Sequence, residues 1–379
     1  MPQGVYAASI SACPALTSTP KVAGSVDGLG TLGFYTFVKQ NLDDRLQLET
    51  NVANGNVVAQ YNALQIHGTG LDLAIQFTYN AQSTTSGVLG NNWNLSVGNG
   101  VSLSFNGANA TLHGSSGFQA TYQADSSSFG GFDEPPGLDA TLLSSTVNGA
   151  AHVLIFQKTS ECFGFNSQGQ EIFDQDKNGH QITFAYNSAG HVSSITDTQN
   201  RLTSFSYDSS GRISTITDPI NRTIQLNYGS NNNVSSLVDL NGKTTSFAYS
   251  GHLLTFGTLQ KATDGNGHVT TYSYDSKGNL ISVTPPSPLG AETLTVDGVS
   301  RVSSETDGNG ITTSFTYDRL DRLTKLAYTG GATISYTHDG NGNLLTVVDN
   351  TGTTTFTYDK DNRQLTKTLP AGKIGRAHV

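Results

Sequence analysis

Basic residues, sulfur and long apolar runs are all scarce in this 379-residue chain. Twenty Lys and Arg stand against 29 Asp and Glu, a formal net charge of −9, so no cationic face is available to displace counterions from DNA or RNA. A nucleic-acid partner is therefore not expected. No run reaches the roughly eighteen apolar residues that a membrane helix requires, and no membrane span is expected. The opening stretch, residues 1–16, has neither a cationic leader nor a long apolar segment and does not read as a secretory signal. The two cysteines, Cys13 and Cys162, make no CxxC pair and cannot form a disulfide framework; one bridge between distant positions is left open. Charged residues are only 13% of the chain. What replaces them is Ser, Thr, Asn and Gly, together about two-fifths of the sequence, the composition of turns and polar strand faces. With 9% aromatics spread evenly along it, the chain can still pack a core.

One column of residues recurs: Phe165, Tyr186, Tyr207, Tyr228, Tyr249, Tyr274, Val296, Tyr317, His338 and Tyr358, mostly 21 residues apart. A second column, Asp176, Asp197, Asp218, Asp239, Asp264 and Asp307, leads it by ten; Asp349 leads Tyr358 by nine. A third, His180, Arg201, Arg222, Lys243 and His268, follows the leading Asp by four and is broken by Ile311. Within a unit, 212–217 and 223–228 alternate with period two and are rich in β-branched residues, so they are read as strands. Asp218-Pro219-Ile220-Asn221 and 228–232 between them are read as hairpin turns. A two-stranded unit buries too little alone, and stacking on neighbours supplies the rest. The spacing slips near Thr284-Pro285-Pro286-Ser287-Pro288, where a unit is expected to bulge outward.

The segment Tyr207-Asp208-Ser209-Ser210-Gly211-Arg212-Ile213, followed by Ile216-Thr217-Asp218-Pro219, resembles the YD repeat of the Rhs family, found also in teneurins and in the C component of insecticidal Tc toxins. Tyr274-Asp275, Tyr317-Asp318 and Tyr358-Asp359 open similar units. Upstream, Gly68-Thr69-Gly70-Leu71-Asp72-Leu73 and Leu89-Gly90-Asn91-Asn92-Trp93 look like the β-rich domain that precedes these repeats in bacterial Rhs proteins, with Phe77-Thr78-Tyr79 where Arg-Thr-Tyr is usual. The resemblance implies an all-β protein: a YD-repeat β-sheet wrapping into a partial shell or solenoid, preceded by a smaller β-rich domain. The expected divisions are a polar, loop-rich lead over 1–45, the β-rich domain over 46–125, a linker over 126–150 and the repeats over 151–370. Residues 374–379, Ile-Gly-Arg-Ala-His-Val, are what ATC GGA AGA GCA CAC GTC encodes; they resemble a sequencing-adapter read-through and are set aside. On that reading the natural chain continues past about Gly372.

By the same resemblance the protein is a structural fragment of a secreted or cell-surface bacterial polymorphic toxin. Its shell would encapsulate a C-terminal toxin missing from this chain, and its partners would be that toxin and a secretion machinery. The family's core motif and autoproteolytic aspartates have no counterpart here, so no cleavage residue is carried over. The alternative is a cell-surface carbohydrate-binding adhesin built from YD repeats, whose repeat edge, with its basic column and any exposed tyrosines, recognises a glycan.

Other chemistry is sparse. Asp174, Asp176, Asn178 and Gly179 match the start of a calcium loop, but Ala185 stands where the bidentate Glu belongs. Asp339-Gly340-Asn341-Gly342-Asn343 fits less well. Gly114-Ser115-Ser116-Gly117 lacks nucleophile-elbow spacing, and no HExxH occurs. Catalytic, cofactor and metal sites are therefore assigned to no residue, and no enzyme activity is expected.

Overall fold

The computed structural model describes residues 13–14, 21–33, 35–250, 257–359, 362–370 and 374–376. The opening residues read for a leader lie almost wholly outside the described residues, as do the last three of the chain. One repeat shows how the rest is built. Strand Leu202–Tyr207 runs out, Asp208 to Arg212 turn, and strand Ile213–Thr217 runs back. In the turn, the Gly211 N–H donates to the Asp208 carbonyl at 3.0 Å, and the Asp208 N–H donates to the Arg212 carbonyl at 2.8 Å. Asp208 Oδ1 accepts from the N–H groups of Ser210 and Arg212 at 2.9 Å. The fourth turn position needs a left-handed backbone, with φ 77° at Gly211, 62° at Asn200 and 64° at Asn221. Gly and Asn adopt that conformation most cheaply, which accounts for their abundance, although Ser300 and Asp321 hold the same position in two turns.

The return strands do not alternate strictly. Ser206 pairs with Thr215 but Tyr207 pairs with Ile213, so Ser214 is an extra residue in a β-bulge. That bulge brings Ile213 and Ile216, three apart in sequence, onto one buried face. Val192 and Ile195, Val234 and Leu237, and Leu280 and Val283 repeat the arrangement.

Twenty-three antiparallel strands form one open sheet in strict sequence order, from Ala140–Ser144 to Ile374–Arg376. No α-helix occurs among the described residues, only three short 3-10 turns. The sheet begins inside the stretch expected as a linker, 126–150, because Ala140–Ser144 already pairs with His152–Phe156. At the other end, three of the residues set aside as read-through add an edge strand, which needs backbone groups alone and no particular sequence. The expected outward bulge at 284–288 is a longer turn: Leu280–Thr284 and Glu292–Val296 still pair, and the prolines lie between them.

Upstream of this wall lie two five-stranded sheets and a two-stranded hairpin, Ser86–Gly87 with Gly90–Asn91. One holds Phe37–Asn41, Leu46–Asn51, Val57–Ile66, Leu73–Asn80 and Trp93–Leu95; the other holds Gly24–Val26, Ser102–Asn106, Asn109–His113 and Gln119–Ala124, with Phe132–Asp133 at its side. Neither has a core of its own. Leu48, Ile75, Phe77 and Trp93 share one apolar core with Ile182, Ile216, Leu237 and Val283 of the wall, and Leu112 and Tyr122 share another with Leu142 and Phe165. These two sheets are an insert lying against the wall's inner face. Cys13 and Cys162 form a disulfide, Cα to Cα 6.1 Å, joining the lead to the second segment of the wall after its start. The sheet also coils: Asn362, in a late turn, donates to Asp139 Oδ1, beside the first wall strand, at 3.4 Å.

Candidate functional site

The wall's two turn edges and its inner face carry all the candidate residues. Along one edge Asp176, Asp197, Asp218, Asp239 and Asp264 are buried. Each accepts two backbone N–H bonds within its own turn, as Asp218 Oδ1 does from Ile220 and Arg222 at 3.0 and 2.8 Å. The basic column closes on them: His180, Arg201, Arg222 and His268 reach the leading carboxylates at 2.8, 2.7, 2.8 and 2.9 Å. Burial works to raise the carboxyls of Asp176, Asp218 and Asp264, but the hydrogen bonds from backbone and from the basic partner outweigh it and hold them below the usual range. Lys243 departs from the pattern, donating to Asn266, while Arg45 of the insert meets Asp239 at 3.5 Å. The column is turn capping rather than an anion-binding groove.

The opposite edge holds a second acid–base series that the spacing search passed over. Asp208, Asp297, Asp318 and Asp359 pair with Arg212, Arg301, Arg322 and Arg363, four residues on. The guanidinium of Arg212 stacks over Tyr228 at 4.2 Å and that of Arg301 over Tyr317 at 5.0 Å, tying each turn to the next hairpin. The signal was present in the sequence as Tyr-Asp followed by Arg at the fourth position after the Asp.

The calcium-like stretch is one of these turns. Asp176 accepts from the N–H groups of Asn178 and His180 and from the His180 ring, while Asp174 sits on the strand before it. Asp339 likewise takes the N–H groups of Asn341 and Asn343. Among the described residues no group of three His, Cys, Asp or Glu is placed to hold a metal. Ser116, in the Gly-Ser-Ser-Gly segment, accepts from the Thr31 N–H at 3.0 Å within a turn.

The tyrosine column points inward, and its role is specific. Beyond a bulge the ladder to the following strand starts two residues on, for example Thr215↔Gln225 to Thr217↔Thr223, leaving the Ile213 carbonyl outside it. Tyr228 donates its hydroxyl to that carbonyl at 2.7 Å. Tyr186 does the same for Glu171, Tyr249 for Val234, Tyr274 for Leu259 and Tyr317 for Val302, at 2.6–2.8 Å and always fifteen residues back. Buried phenols resist ionisation, and burial raises every one of these hydroxyls well above its ordinary value.

The N–H of the same bulge residue is a recurring contact with the insert. Ile213 donates to the Val88 carbonyl at 2.8 Å, Val302 to the Val52 carbonyl at 2.8 Å, Val192 to Asn99 Oδ1 at 2.6 Å and Leu259 to the Tyr79 hydroxyl at 3.0 Å. Two carboxyl pairs occupy inner positions where other units carry aliphatic residues. Glu171 and Asp174 hydrogen-bond each other, and Glu171 accepts from the Gly98 N–H of the insert at 2.7 Å. Glu292 and Glu305 lie diagonally across a strand pair, with Gln40 of the insert bonded to Glu292. From strand Leu323–Tyr328 onward the inner face is mostly half-buried: Phe315 and Tyr317 still pack against the shared core, but Leu326, Ile334, Tyr336, Val347 and Phe356 fall outside it.

Family comparison agrees with this architecture. Residues 151–304 match the Teneurin YD-shell family, and 297–333 and 338–374 match the RHS Repeat. The chain is an Rhs/YD-repeat protein. Residues 49–122 of this Rhs protein match a domain of unknown function, DUF6531, and lie almost wholly within the insert. Among solved structures, TcdB2-TccC3 without its hypervariable C-terminal region is 12% identical with a TM-score of 0.39, over 84% of this chain and 22% of that one. TcdB2-TccC3-Cdc42 is 13% identical with a TM-score of 0.38, over 90% and 22%. A Photorhabdus luminescens Tc holotoxin pore is 11% identical with a TM-score of 0.29, over 88% and 24%. The Rhs chain thus spans less than a quarter of each of these solved chains. No curated protein matches it. Its matched families are structural shell and repeat domains, and a structural shell role is the function they support. No helix among the described residues is long and apolar enough to cross a membrane.

Proposed function

We propose that this chain is one end of the wall of a secreted bacterial shell that encloses a C-terminal toxin of the same, longer polypeptide. The observation that carries the reading is the change along the inner face. Up to Val302 the inward columns are covered by the insert; past Phe315 the same columns continue with Leu326, Ile334, Tyr336, Val347 and Phe356, half-open and still apolar. A sheet that keeps an apolar inner face beyond its own insert is built to meet more polypeptide there. The outer face is Ser- and Thr-rich, with Thr337 bonded to Thr346 and Thr357 to Thr366 across strands. Such a wall separates cargo from surroundings without a charged surface of its own.

The role proposed is non-catalytic. The carbohydrate-binding alternative loses its main support, because the tyrosines it required on the outside face inward and donate to backbone carbonyls. Sequencing the source DNA past the codon for Gly372 tests the reading. Further YD units, a shell-closing motif and an unrelated C-terminal domain are the expected result. A short finish or a cell-wall anchor directly after the repeats would overturn it.

A further inference from the structure

The contact between wall and insert follows a rule that reaches beyond the insert. At Ile213 and Val302 an insert carbonyl enters the splayed gap between a bulge and the next tyrosine, and two donors meet it there. Val52 O takes the Val302 N–H at 2.8 Å and shares the Tyr317 hydroxyl proton at 3.0 Å; Val88 O takes the Ile213 N–H at 2.8 Å, with the Tyr228 hydroxyl at 3.5 Å. Both carbonyls belong to valines, one buried and one packed against the core, on turns that leave the insert's strands. The two donors come from the repeat itself, a bulge N–H and a tyrosine fifteen residues on.

Past the insert the pattern persists. The pairing shift recurs between Thr337 and His338, and Leu344 takes the bulge position. Tyr358 donates to the Leu344 carbonyl at 2.9 Å as the earlier tyrosines do, from fourteen residues on rather than fifteen because the hairpin turn between them is one residue shorter. At Leu323 the matching tyrosine is His338 and at Leu280 it is Val296, so neither offers a phenol. Phe356 and Val347, on the strands either side of this gap, are both half-buried.

We propose that the gap formed by the Leu344 N–H and the Tyr358 hydroxyl is a docking point for a backbone carbonyl on an apolar turn of polypeptide, of the kind the insert presents at Val52 and Val88. The argument is continuity: the same two donors on the same face of the same sheet already hold two such turns. That the turn is supplied by enclosed polypeptide rests on the shell reading; the donor geometry does not. Recognition through the main chain ignores most of the guest's side chains, so one wall can hold guests of unrelated sequence.

The test uses the full chain and a synthetic peptide of residues 85–91, Thr-Ser-Gly-Val-Leu-Gly-Asn, which contains the Val88 carbonyl. A single docking point of this kind binds in the millimolar range. At about 5 mM peptide, hydrogen exchange at Leu344 is expected to slow roughly 5-fold. Tyr358→Phe is expected to weaken that protection, and a peptide whose Val88 carbonyl is reduced to methylene is expected to abolish it. Unchanged exchange at Leu344, equal protection by the reduced peptide, or a response only at Ile213 would each overturn the proposal. A gene that ends soon after residue 373 would sink the enclosure reading while leaving this result untouched.

Discussion

Tyrosine at the head of each repeat is kept for its hydroxyl as much as for its ring. A phenylalanine would fill the same space, but it would leave a bulge carbonyl such as that of Ile213 without its donor. Tyr228→Phe is accordingly expected to destabilise the chain by about 1 kcal/mol in urea unfolding, the usual worth of one such bond. The paired acids set a second expectation. Burial pushes Asp174 up to about 7 and Glu305 up to about 7, and it raises Glu171 and Glu292 as well; the neighbouring charges, Glu161 and Asp307, are acidic. A carboxyl raised on folding adds nothing below its unfolded value, since both states are then protonated. Between that value and the raised one the unfolded chain releases protons that the folded chain holds, so stability falls as pH rises, a loss that for Asp174 and Glu305 runs up to about pH 7. Trp93, the only tryptophan, lies in the insert and donates to the Tyr249 hydroxyl of the wall at 2.9 Å, so its fluorescence reports the contact. Its unfolding midpoint is expected to drop from pH 5 to pH 8, and to drop less in a Glu171→Gln, Asp174→Asn, Glu292→Gln, Glu305→Gln variant. An identical drop in that variant would refute the assignment.

The hairpin unit was legible in the sequence because it is local. Strand Thr223–Tyr228 and the turns at Asp218 and Gly229 follow from β-branched alternation and from residues that accept a positive φ. The bulge was not legible, because one inserted residue, such as Ser214, looks like any other polar position until the partner strand's register is known. The place of the 46–125 stretch against the wall was not legible for a different reason. Residues 46–125 are dense in apolar residues and read as a β-rich domain. Burial does not say against what: Leu48 and Phe77 share a core with Ile182 and Ile216, more than a hundred residues away on the wall. The contact between Cys13 and Cys162 was equally out of reach, since spacing alone fixes no pairing.

For the molecule as a whole, the decisive property is that the sheet is open. The strands before its edge, Gly352–Tyr358 and Gln364–Thr368, are half-exposed, and beyond the short edge strand Ile374–Arg376 no further strand pairs among the described residues, so the ladder there is one that other chains can join. Adding two further YD units is expected to raise solubility, measured as the concentration at which the protein begins to scatter light; no gain would count against a continuous stacked wall. The coil sets dimensions too. Asn362 meets Asp139 after one revolution of roughly twenty strands, which at ~4.8 Å per strand is a circumference of about 100 Å and a width of about 30 Å. Successive revolutions touch there through side chains at their turns, like the threads of a screw. Volume in such a vessel grows by revolution, so the number of repeats is a gauge of the largest guest it can house, legible in the gene before the guest itself is known.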